Sequence, residues 1–394
     1  MQYRKNKLGQ DISLLGYGCM RFSKKGQSID IDKAESELLL AIENGVNYFD
    51  TAYIYPGSEA ALGTILERNN IREKINIATK LPQYTVRNPQ DAEKIFTEEL
   101  SRLKTDYIDY YLMHMMTDIE SFNRLQSTGV MDWAKEKKEQ GIIKQLGFSF
   151  HGNSDMFIKI LNAYDWDFAQ IQYNYLDEHT QAGRKGLNAA AEKNVPIIIM
   201  EPLRGGKLVS NLPAAANKAM EESGRDYSPA EWGLRWLFEQ SAVTCVLSGM
   251  NSKEMVLENC RIASDTLPNS MTDSDHETIE KIKAAINQNT KAPCTGCAYC
   301  MPCPKGVDIP GTFSCYNHTS LGKSAARQEY WQTVALRKNP GLASQCIECG
   351  KCESHCPQKL PIRDLLKEAD KVLMPWYFKV FAWASRKFLF RKYK

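Results

Sequence analysis

Several features that would assign a chain to a membrane, secreted or low-complexity class are missing from this sequence. Its first seven residues, Met-Gln-Tyr-Arg-Lys-Asn-Lys, lack the apolar core of a signal peptide. No apolar run is long enough to cross a bilayer. Glycine and proline are not in excess, and no internal repeat is evident. We therefore expect a folded protein that is made and kept in the cytoplasm.

Acidic residues are missing from the last part of the chain. Residues 371–394 contain seven Lys or Arg and no Asp or Glu, whereas the rest carries 43 basic against 47 acidic residues. The total of 394 residues is enough for a barrel and an additional module. We expect three parts, a barrel over 1–287, a cysteine-rich domain over 288–372 and a basic aromatic tail over 373–394.

Apolar strand-like segments alternate with amphipathic helix-like segments from the N-terminus to about residue 287. Eight such units with apolar strands predict an α/β fold, a (β/α)8 TIM barrel whose active site lies at the C-terminal strand ends. A hairpin over residues 2–14 is expected to close one end of it. An open doubly wound sheet is the alternative, less favoured because no Gly-x-Gly-x-x-Gly follows an early strand.

Polar residues suited to proton transfer follow three successive predicted strands. They are a carboxylate, a phenol, an amine and an imidazole: Asp50, Tyr55, Lys80 and His114. A phenol has a pKa near 10, and a neighbouring ammonium is expected to lower it. Singly, each residue is more often structural. Together they suit the protonation of an oxygen while a hydride reaches the adjacent carbon.

These residues carry a resemblance to a known family. Asp50-Thr51-Ala52-x-x-Tyr55, Lys80 in Ile-Ala-Thr-Lys and His114 in Asp-Tyr-Tyr-Leu-Met-His resemble the aldo-keto reductases over residues 1–285. The resemblance implies an NAD(P)H-dependent carbonyl reductase whose acid is Tyr55 and not Tyr53. It also implies nicotinamide-nucleotide contacts at Gly18, Cys19, Met20, Ser149, Gln170, Met200, Pro202, Leu203, Gly205, Gly249, Glu258 and Asn259.

The chain departs from the family pattern at several cofactor positions. Phe150 stands where an Asn usually follows Ser149, and Met200 stands where many members place a stacking Tyr. The usual basic residues for a 2′-phosphate are absent, and Lys253 or Arg261 could replace them. The choice between NADP and NAD therefore stays open.

Nine of the twelve cysteines lie between residues 294 and 356. The run beginning at Cys346 matches the bacterial ferredoxin spacing Cys-x2-Cys-x2-Cys-x3-Cys-Pro, and the run beginning at Cys294 is one residue shorter. Two such runs predict two [4Fe-4S] clusters, with zinc or free thiols as minor alternatives. By analogy with two-cluster ferredoxins, one set is Cys294, Cys297, Cys300 and Cys356, and the other is Cys346, Cys349, Cys352 and Cys303.

The stretch between the two runs is helical near residues 321–336 and resembles the mainly helical ferredoxin-like modules of multi-subunit oxidoreductases. The whole chain thus resembles the ferredoxin-containing branch of the aldo-keto reductases. Nicotinamides transfer two electrons as hydride and cubane clusters transfer one at a time, and we find no flavin signature. The clusters are then structural, linked through a flavin-bearing redox partner, or used in a separate step.

The tail from Pro375 is aromatic and basic. A helix there places Tyr377, Phe381, Ala384 and Phe388 on one face, with Lys379 and Arg386 opposite and Lys387 on the flank. Such a segment suits an anionic membrane surface, a docking partner, or packing against its own barrel. Nucleic acid is not expected as a partner. For the whole chain we expect an enzyme acting on a small carbonyl substrate, with an electron-relay or nucleotide-sensing protein as the alternative.

Overall fold

A computed structural model describes residues 1–390, apart from 211, 289, 295, 297, 298, 338 and 357, and describes only the backbone of 321 and 386–390. Eight parallel strands close into a barrel in the order β3-β6-β7-β8-β9-β10-β11-β12, which confirms the predicted fold class. All described strands are β1 (Tyr3–Lys5), β2 (Asp11–Ser13), β3 (Leu15–Gly18), β4 (Lys24–Lys25), β5 (Ser28–Ile29), β6 (Tyr48–Asp50), β7 (Asn76–Leu81), β8 (Ile108–Met116), β9 (Ile143–Phe150), β10 (Phe168–Gln172), β11 (Ile197–Met200) and β12 (Val243–Ser248).

The antiparallel pair β1 and β2 covers the N-terminal end of the barrel, as predicted. Arg4 of β1 donates through Nη1 to the carbonyl oxygen of Gln240 at 2.5 Å and also reaches the carbonyl oxygens of Phe238 and Val243, just before and at the start of β12. Because this end is closed, the C-terminal strand ends form the open mouth.

Helices follow the barrel strands and then build the second domain. α3 begins at Pro89 behind Asn88, whose side chain caps the helix by accepting from the Asp91 N–H. The pair β4 and β5 lies outside the eight predicted strand–helix units. The described helices are α1 (Ile31–Glu43), α2 (Ser58–Asn69), α3 (Pro89–Leu103), α4 (Ile119–Ser127), α5 (Val130–Glu139), α6 (Ser154–Ala163), α7 (Gly183–Glu192), α8 (Lys207–Ser210), α9 (Ala214–Glu222), α10 (Pro229–Phe238), α11 (Lys253–Asp265), α12 (Asp273–Asn287), α13 (Ile309–Asn317), α14 (Lys323–Tyr330), α15 (Lys351–Ser354), α16 (Ile362–Leu373) and α17 (Trp376–Phe390).

The second domain has a hydrophobic core of its own. Val307, Phe313, Tyr330 and Leu366 are buried together from four different segments. The predicted ligand cysteines among the described residues border this core rather than the barrel core, with the exception of the exposed Cys349. The helices thus form a framework that presents the cysteine loops.

The tail helix α17 packs on the second domain. The Phe381 ring lies 5.5 Å from the Trp331 ring, and Lys379 pairs with Asp370 at 2.6 Å. Trp376 and Trp383 are 78% and 61% exposed. The tail therefore packs on the second domain. The alternative expected from the sequence, packing against the barrel, is wrong. The predicted face includes Phe388, whose side chain, like those of Arg386 and Lys387, lies outside the described part.

No described helix combines the length and apolarity needed to span a bilayer.

We predict that Gly63→Ala destabilises the barrel. A Cβ at Gly63 of α2 would lie 2.2 Å from the Arg102 carbonyl oxygen of α3. Because the obstacle is backbone, the two helices must separate, at a cost of about 1–3 kcal/mol. Urea denaturation should show the loss.

The matched control is Ala60→Ser, which adds one atom at an exposed position of the same helix and should change stability by less than about 0.5 kcal/mol. Equal stability of Gly63→Ala and the unaltered protein would contradict the close helix packing.

Candidate active site

The four predicted catalytic residues lie at the mouth of the barrel. Asp50 ends β6, Lys80 lies near the end of β7 and His114 near the end of β8. Tyr55 follows β6 in a turn in which its N–H donates to the Ala52 carbonyl oxygen at 2.9 Å. Because these three strands pair in parallel with one another, their ends meet at one edge.

Lys80 and Asp50 form a buried ion pair. The Lys80 Nζ lies 2.5 Å from the Asp50 Oδ1 and donates to the Thr51 carbonyl oxygen at 2.6 Å. The two side chains are only 1% and 6% exposed. The same Nζ lies 5.2 Å from the centre of the Tyr55 ring. The carboxylate therefore fixes a cation beside the phenol.

The phenol of Tyr55 is held in its protonated form. Burial is the largest cause of its raised pKa, and the Asp50, Glu201 and Cys19 groups add to the shift. The predicted lowering of this pKa by Lys80 is wrong for this structure, because burial and the neighbouring acidic groups, Asp50 foremost, outweigh the effect of the ammonium. The Tyr55 hydroxyl therefore keeps its proton through the neutral range.

His114 is a neutral imidazole at the same mouth. Burial lowers its pKa far below the usual value, and Lys80 and His151 lower it further. Its Nδ1 has no hydrogen-bond partner among the described residues. The pairing register of β8 shifts between Met113 and Met116, and such irregularities redirect side chains near active sites. The ring meets that of Tyr55 edge-on, with centroids 6.2 Å apart.

Two of the predicted nucleotide-contacting residues, Ser149 and Gln170, lie side by side. Gln170 of β10 is in register with Ser149 of β9. The Gln170 Nε2 donates to the Asp50 Oδ2 at 2.8 Å, and the Ser149 Oγ accepts from the Met115 N–H at 2.9 Å. Gln170 is therefore bonded to Asp50 itself, and Ser149 is bonded to the residue that follows His114.

The loop after β11 has an unusual backbone. Glu201, Arg204, Gly205 and Gly206 all have positive φ, at 55°, 48°, 66° and 88°. This left-handed region is unfavourable for a residue with a β-carbon. The loop contains the predicted cofactor residues Pro202, Leu203 and Gly205 and follows Met200.

Sequence reasoning missed Arg21, which lies in the groove between this loop and the one after β12. A Cβ on Gly205 would lie 2.5 Å from the Arg21 Nη2, and one on Gly249 would lie 2.9 Å from the Arg21 Cδ. Arg21 is exposed and makes no ion pair with any described residue. Only its position directly after the predicted Gly18-Cys19-Met20 loop hinted at this role. A glycine-lined groove with a guanidinium fits a phosphate group.

The remaining predicted nucleotide residues frame the same groove. Cys19 is fully buried and Met20 is 59% exposed, next to Gly18 at the end of β3. The Asn259 Nδ2 donates to the Ser248 Oγ at 3.0 Å. The Glu258 Oε1 accepts from the Ser228 Oγ at 2.6 Å. The first of these bonds holds α11 against the end of β12, and the second holds it against the start of α10.

The two predicted substitutes for a 2′-phosphate ligand differ in their surroundings. Arg261 is paired with Glu231 at 2.6 Å. Lys253 is exposed at the start of α11 and forms no ion pair within the described chain. Of the two, only Lys253 therefore carries a charge that has no ion-pair partner among the described residues.

The second candidate centre is formed by cysteines. Five of the predicted ligands line one cavity: Cys300, Cys303, Cys346, Cys349 and Cys352. Cys294 and Cys356 border the same core, and Cys297 lies outside the described residues. The Glu348 N–H donates to the Cys346 Sγ at 3.4 Å. Cysteine sulfurs are the ligands that a cubane cluster requires, but among the described residues no three potential ligand side chains lie close enough together to hold a metal ion.

Comparison with protein families identifies both parts. Residues 14–284 match the aldo/keto reductase family, and residues 293–361 match the 4Fe-4S dicluster domain. The resemblances to reductases and to two-cluster ferredoxins are thereby confirmed, and the second domain is of a type that binds iron–sulfur clusters.

Individual relatives agree. An uncharacterised oxidoreductase of Bacillus subtilis is 29% identical over 297 residues, covering 66% of this chain and 91% of the relative. An aldo-keto reductase of Mycolicibacterium vanbaalenii is 30% identical over 233 residues, covering 58% and 76%. Two solved structures share the barrel fold, each at a TM-score of 0.59. The holo form of a Bacillus halodurans aldo-keto reductase is 24% identical and covers 72% of this chain and 96% of its own. A Klebsiella pneumoniae aldo-keto reductase in complex with NADPH is 17% identical and covers 72% of this chain and 95% of its own. The chain therefore belongs to the aldo/keto reductase family and is an oxidoreductase of that type joined to a 4Fe-4S dicluster domain.

Proposed function

We propose that the barrel reduces an aldehyde or ketone to an alcohol with NADPH. The observation that carries this proposal is the buried Lys80–Asp50 ion pair beside a protonated Tyr55 and a neutral His114. NADPH, when bound, supplies the hydride that reaches the carbonyl carbon. The protein supplies the proton and the fixed charges.

Each catalytic residue has a defined task. Tyr55 gives its hydroxyl proton to the carbonyl oxygen as the carbon gains the hydride. The Lys80 ammonium then stabilises the phenolate until solvent returns a proton. Asp50 keeps that ammonium charged and in place. The neutral His114 donates a hydrogen bond that orients and polarises the carbonyl.

We predict that Tyr55→Phe lowers kcat for aldehyde reduction by about 100-fold or more, because the proton donor is lost. Tyr53→Phe is the matched control, since the Tyr53 hydroxyl donates to Glu98 at 2.9 Å, away from the ion pair. Stopped-flow oxidation of NADPH with a panel of aldehydes measures both.

The pH dependence gives a second measurement on the same variants. The pKa of Tyr55 is raised and that of His114 is lowered, so neither should titrate between about pH 6.5 and 10. Equal kcat for Tyr55→Phe and Tyr53→Phe would contradict the proposal. Bleaching of the cluster absorbance by NADPH without a carbonyl would support the electron-relay alternative instead.

The nucleotide is assigned to the groove that contains Arg21. We propose that its pyrophosphate lies between Gly205 and Gly249 against the Arg21 guanidinium, and that Ser149 and Gln170 meet its carboxamide. The backbone at Gly18, Cys19 and Met20 lines the nicotinamide side. Lys253 meets the 2′-phosphate, because its charge is exposed whereas that of Arg261 is paired. The groove is further lined by Met200, Pro202, Leu203, Glu258 and Asn259.

We predict that Lys253→Ala raises the KM for NADPH about tenfold and leaves the KM for NADH within about twofold. Arg261→Ala is the control and should leave the ratio of the two constants unchanged. Steady-state kinetics with each nucleotide provide the constants. A parallel rise in both for Lys253→Ala would contradict 2′-phosphate recognition.

We propose that the second domain holds two [4Fe-4S] clusters. Cys346, Cys349, Cys352 and Cys303 bind one of them. All four line one cavity, which Cys300 of the other set also lines. Cys294, Cys297, Cys300 and Cys356 bind the other. Cys349 is exposed, and Ile347 and Tyr299 beside it are 57% and 68% exposed. This open rim favours electron exchange with a redox partner protein.

We predict that anaerobically purified protein contains about eight iron and eight sulfide per chain, and that Cys303→Ser lowers both to about four. Cys315→Ser is the control, since Cys315 is buried and pairs with no cluster loop. Metal and sulfide analysis with electron paramagnetic resonance of the reduced protein measures the loss. Bound zinc in place of iron, or full iron in Cys303→Ser, would contradict the assignment.

A further inference from the structure

Four charged side chains meet where the barrel packs against the iron–sulfur domain. Asp177 follows β10 and Arg204 follows β11, whereas His318 and Glu329 belong to the second domain. The Arg204 Nη2 lies 2.7 Å from the Glu329 Oε2, and the Arg204 Nη1 lies 3.4 Å from the Asp177 Oδ1. His318 faces the same two carboxylates, at 3.0 Å from Glu329 and 3.3 Å from Asp177.

This network is shielded from solvent. The side chains are between 1% and 16% exposed. Buried charges are tolerated only when paired, and removal of one partner leaves another charge without compensation. The pKa values agree, because burial and Arg204 disfavour protonated His318 but Glu329 and Asp177 outweigh them and raise its pKa. All four groups therefore depend on each other.

The network holds the loop with the left-handed backbone. Arg204 itself has a φ of 48°, and Glu201, Gly205 and Gly206 share this region. Such conformations persist where surrounding contacts fix them, and they concentrate at ligand-binding segments. The Asn174 Nδ2 adds a bond to the Glu201 carbonyl oxygen at 3.2 Å. The Arg204 guanidinium, which is paired with Glu329 of the second domain, therefore helps to fix this loop.

The same loop forms one wall of the proposed nucleotide groove. Gly205 lies against Arg21, and the Glu201 carboxylate acts on the pKa of Tyr55. The second domain also acts electrostatically on the barrel mouth. Burial lowers the pKa of His151 to about 4, and the Glu329 carboxylate of the second domain opposes that shift. A change at Glu329 is therefore expected to reach the 201–206 loop that lines the proposed nucleotide site.

We propose that Glu329 and His318 are positioning residues for the nucleotide. Acting through Arg204, they hold residues 201–206 in the conformation that receives the pyrophosphate. The inference rests on the proposed nucleotide site. Nucleotide binding and docking of the iron–sulfur domain are then thermodynamically coupled, and each strengthens the other by the same factor.

Glu329→Gln tests the inference in the full-length, anaerobically purified protein with its clusters. The variant keeps the side-chain shape and removes the charge. We predict that the Kd for NADPH, from titration of its fluorescence, rises about tenfold, within the range of measured couplings. The kcat at saturating NADPH should stay within about twofold, because the groups that touch the carbonyl are unchanged. Glu329→Asp, which keeps the charge, should recover part of the affinity.

Asp308→Asn is the matched control. Asp308 pairs with Arg337 at 2.9 Å inside the second domain, with side chains 9% and 12% exposed, and makes no contact with the 201–206 loop. It also caps α13 by accepting from the Gly311 N–H, a task that Asn performs equally well. Its Kd for NADPH should equal that of the unaltered protein.

The outcomes separate the two proposals. Failure of the unaltered protein to bind NADPH would overturn the proposed function and this inference with it. Binding by the unaltered protein with the same Kd for Glu329→Gln, even with a lower melting temperature, would overturn only the positioning role. If Glu329→Gln does not retain its clusters, the coupling can be measured on the unaltered protein. Saturating NADPH should raise the urea concentration at which half of the cluster absorbance is lost. An unchanged midpoint would overturn the coupling.

Discussion

The ion pair between Lys80 and Asp50 is the interaction on which the catalytic end of the barrel depends. The Lys80 side chain is almost completely shielded from solvent, and an ammonium in such surroundings is stable only beside a counter-charge. Removal of one partner from a buried pair costs about 3–5 kcal/mol. Asp50 therefore makes it possible to keep a cation next to a phenol inside the protein. Gln170 occupies the other oxygen of this carboxylate, so the pair is also fixed in orientation.

The parallel barrel explains why these groups meet. The proposed catalytic residues Asp50, Lys80 and His114 lie at or near the C-terminal ends of their strands. Parallel pairing brings these ends together although the residues are far apart in sequence. The hairpin of β1 and β2 closes the opposite end, so ligands enter from one side. The loops after β10 and β11 rise from this mouth and meet the second domain there. One face of the barrel thus carries both the chemistry and the contact with the clusters' domain.

Much of this arrangement could be predicted from the sequence, because its signals are local. An apolar run that ends in one polar residue marked Asp50, Lys80 and His114, and the spacing of cysteines marked the second domain. The choice of Tyr55 came from the family resemblance, since Tyr53 stands in the same segment. The structure places the Tyr53 hydroxyl on Glu98 instead.

What the sequence did not predict depends on distance and burial. The direction of the Tyr55 pKa shift was wrong, because the sequence does not show how deeply the phenol is buried or that the Asp50 carboxylate opposes the phenolate. Arg21 reaches glycines that follow it by more than 180 residues. Arg204 and Glu329 are 125 residues apart. No periodicity or motif links such positions, because each has ordinary neighbours in sequence.

The contact between the domains bears on why a two-electron barrel is joined to one-electron clusters. Direct exchange between a nicotinamide and a cubane cluster has no simple chemical route without a mediator. The buried network of Asp177, Arg204, His318 and Glu329 provides a connection that transfers no electrons. If the second domain holds the nucleotide loop in place, its integrity controls the barrel through binding free energy alone. Cluster loss would then weaken nucleotide binding because the framework of Glu329 and His318 depends on the same core that presents the cysteines.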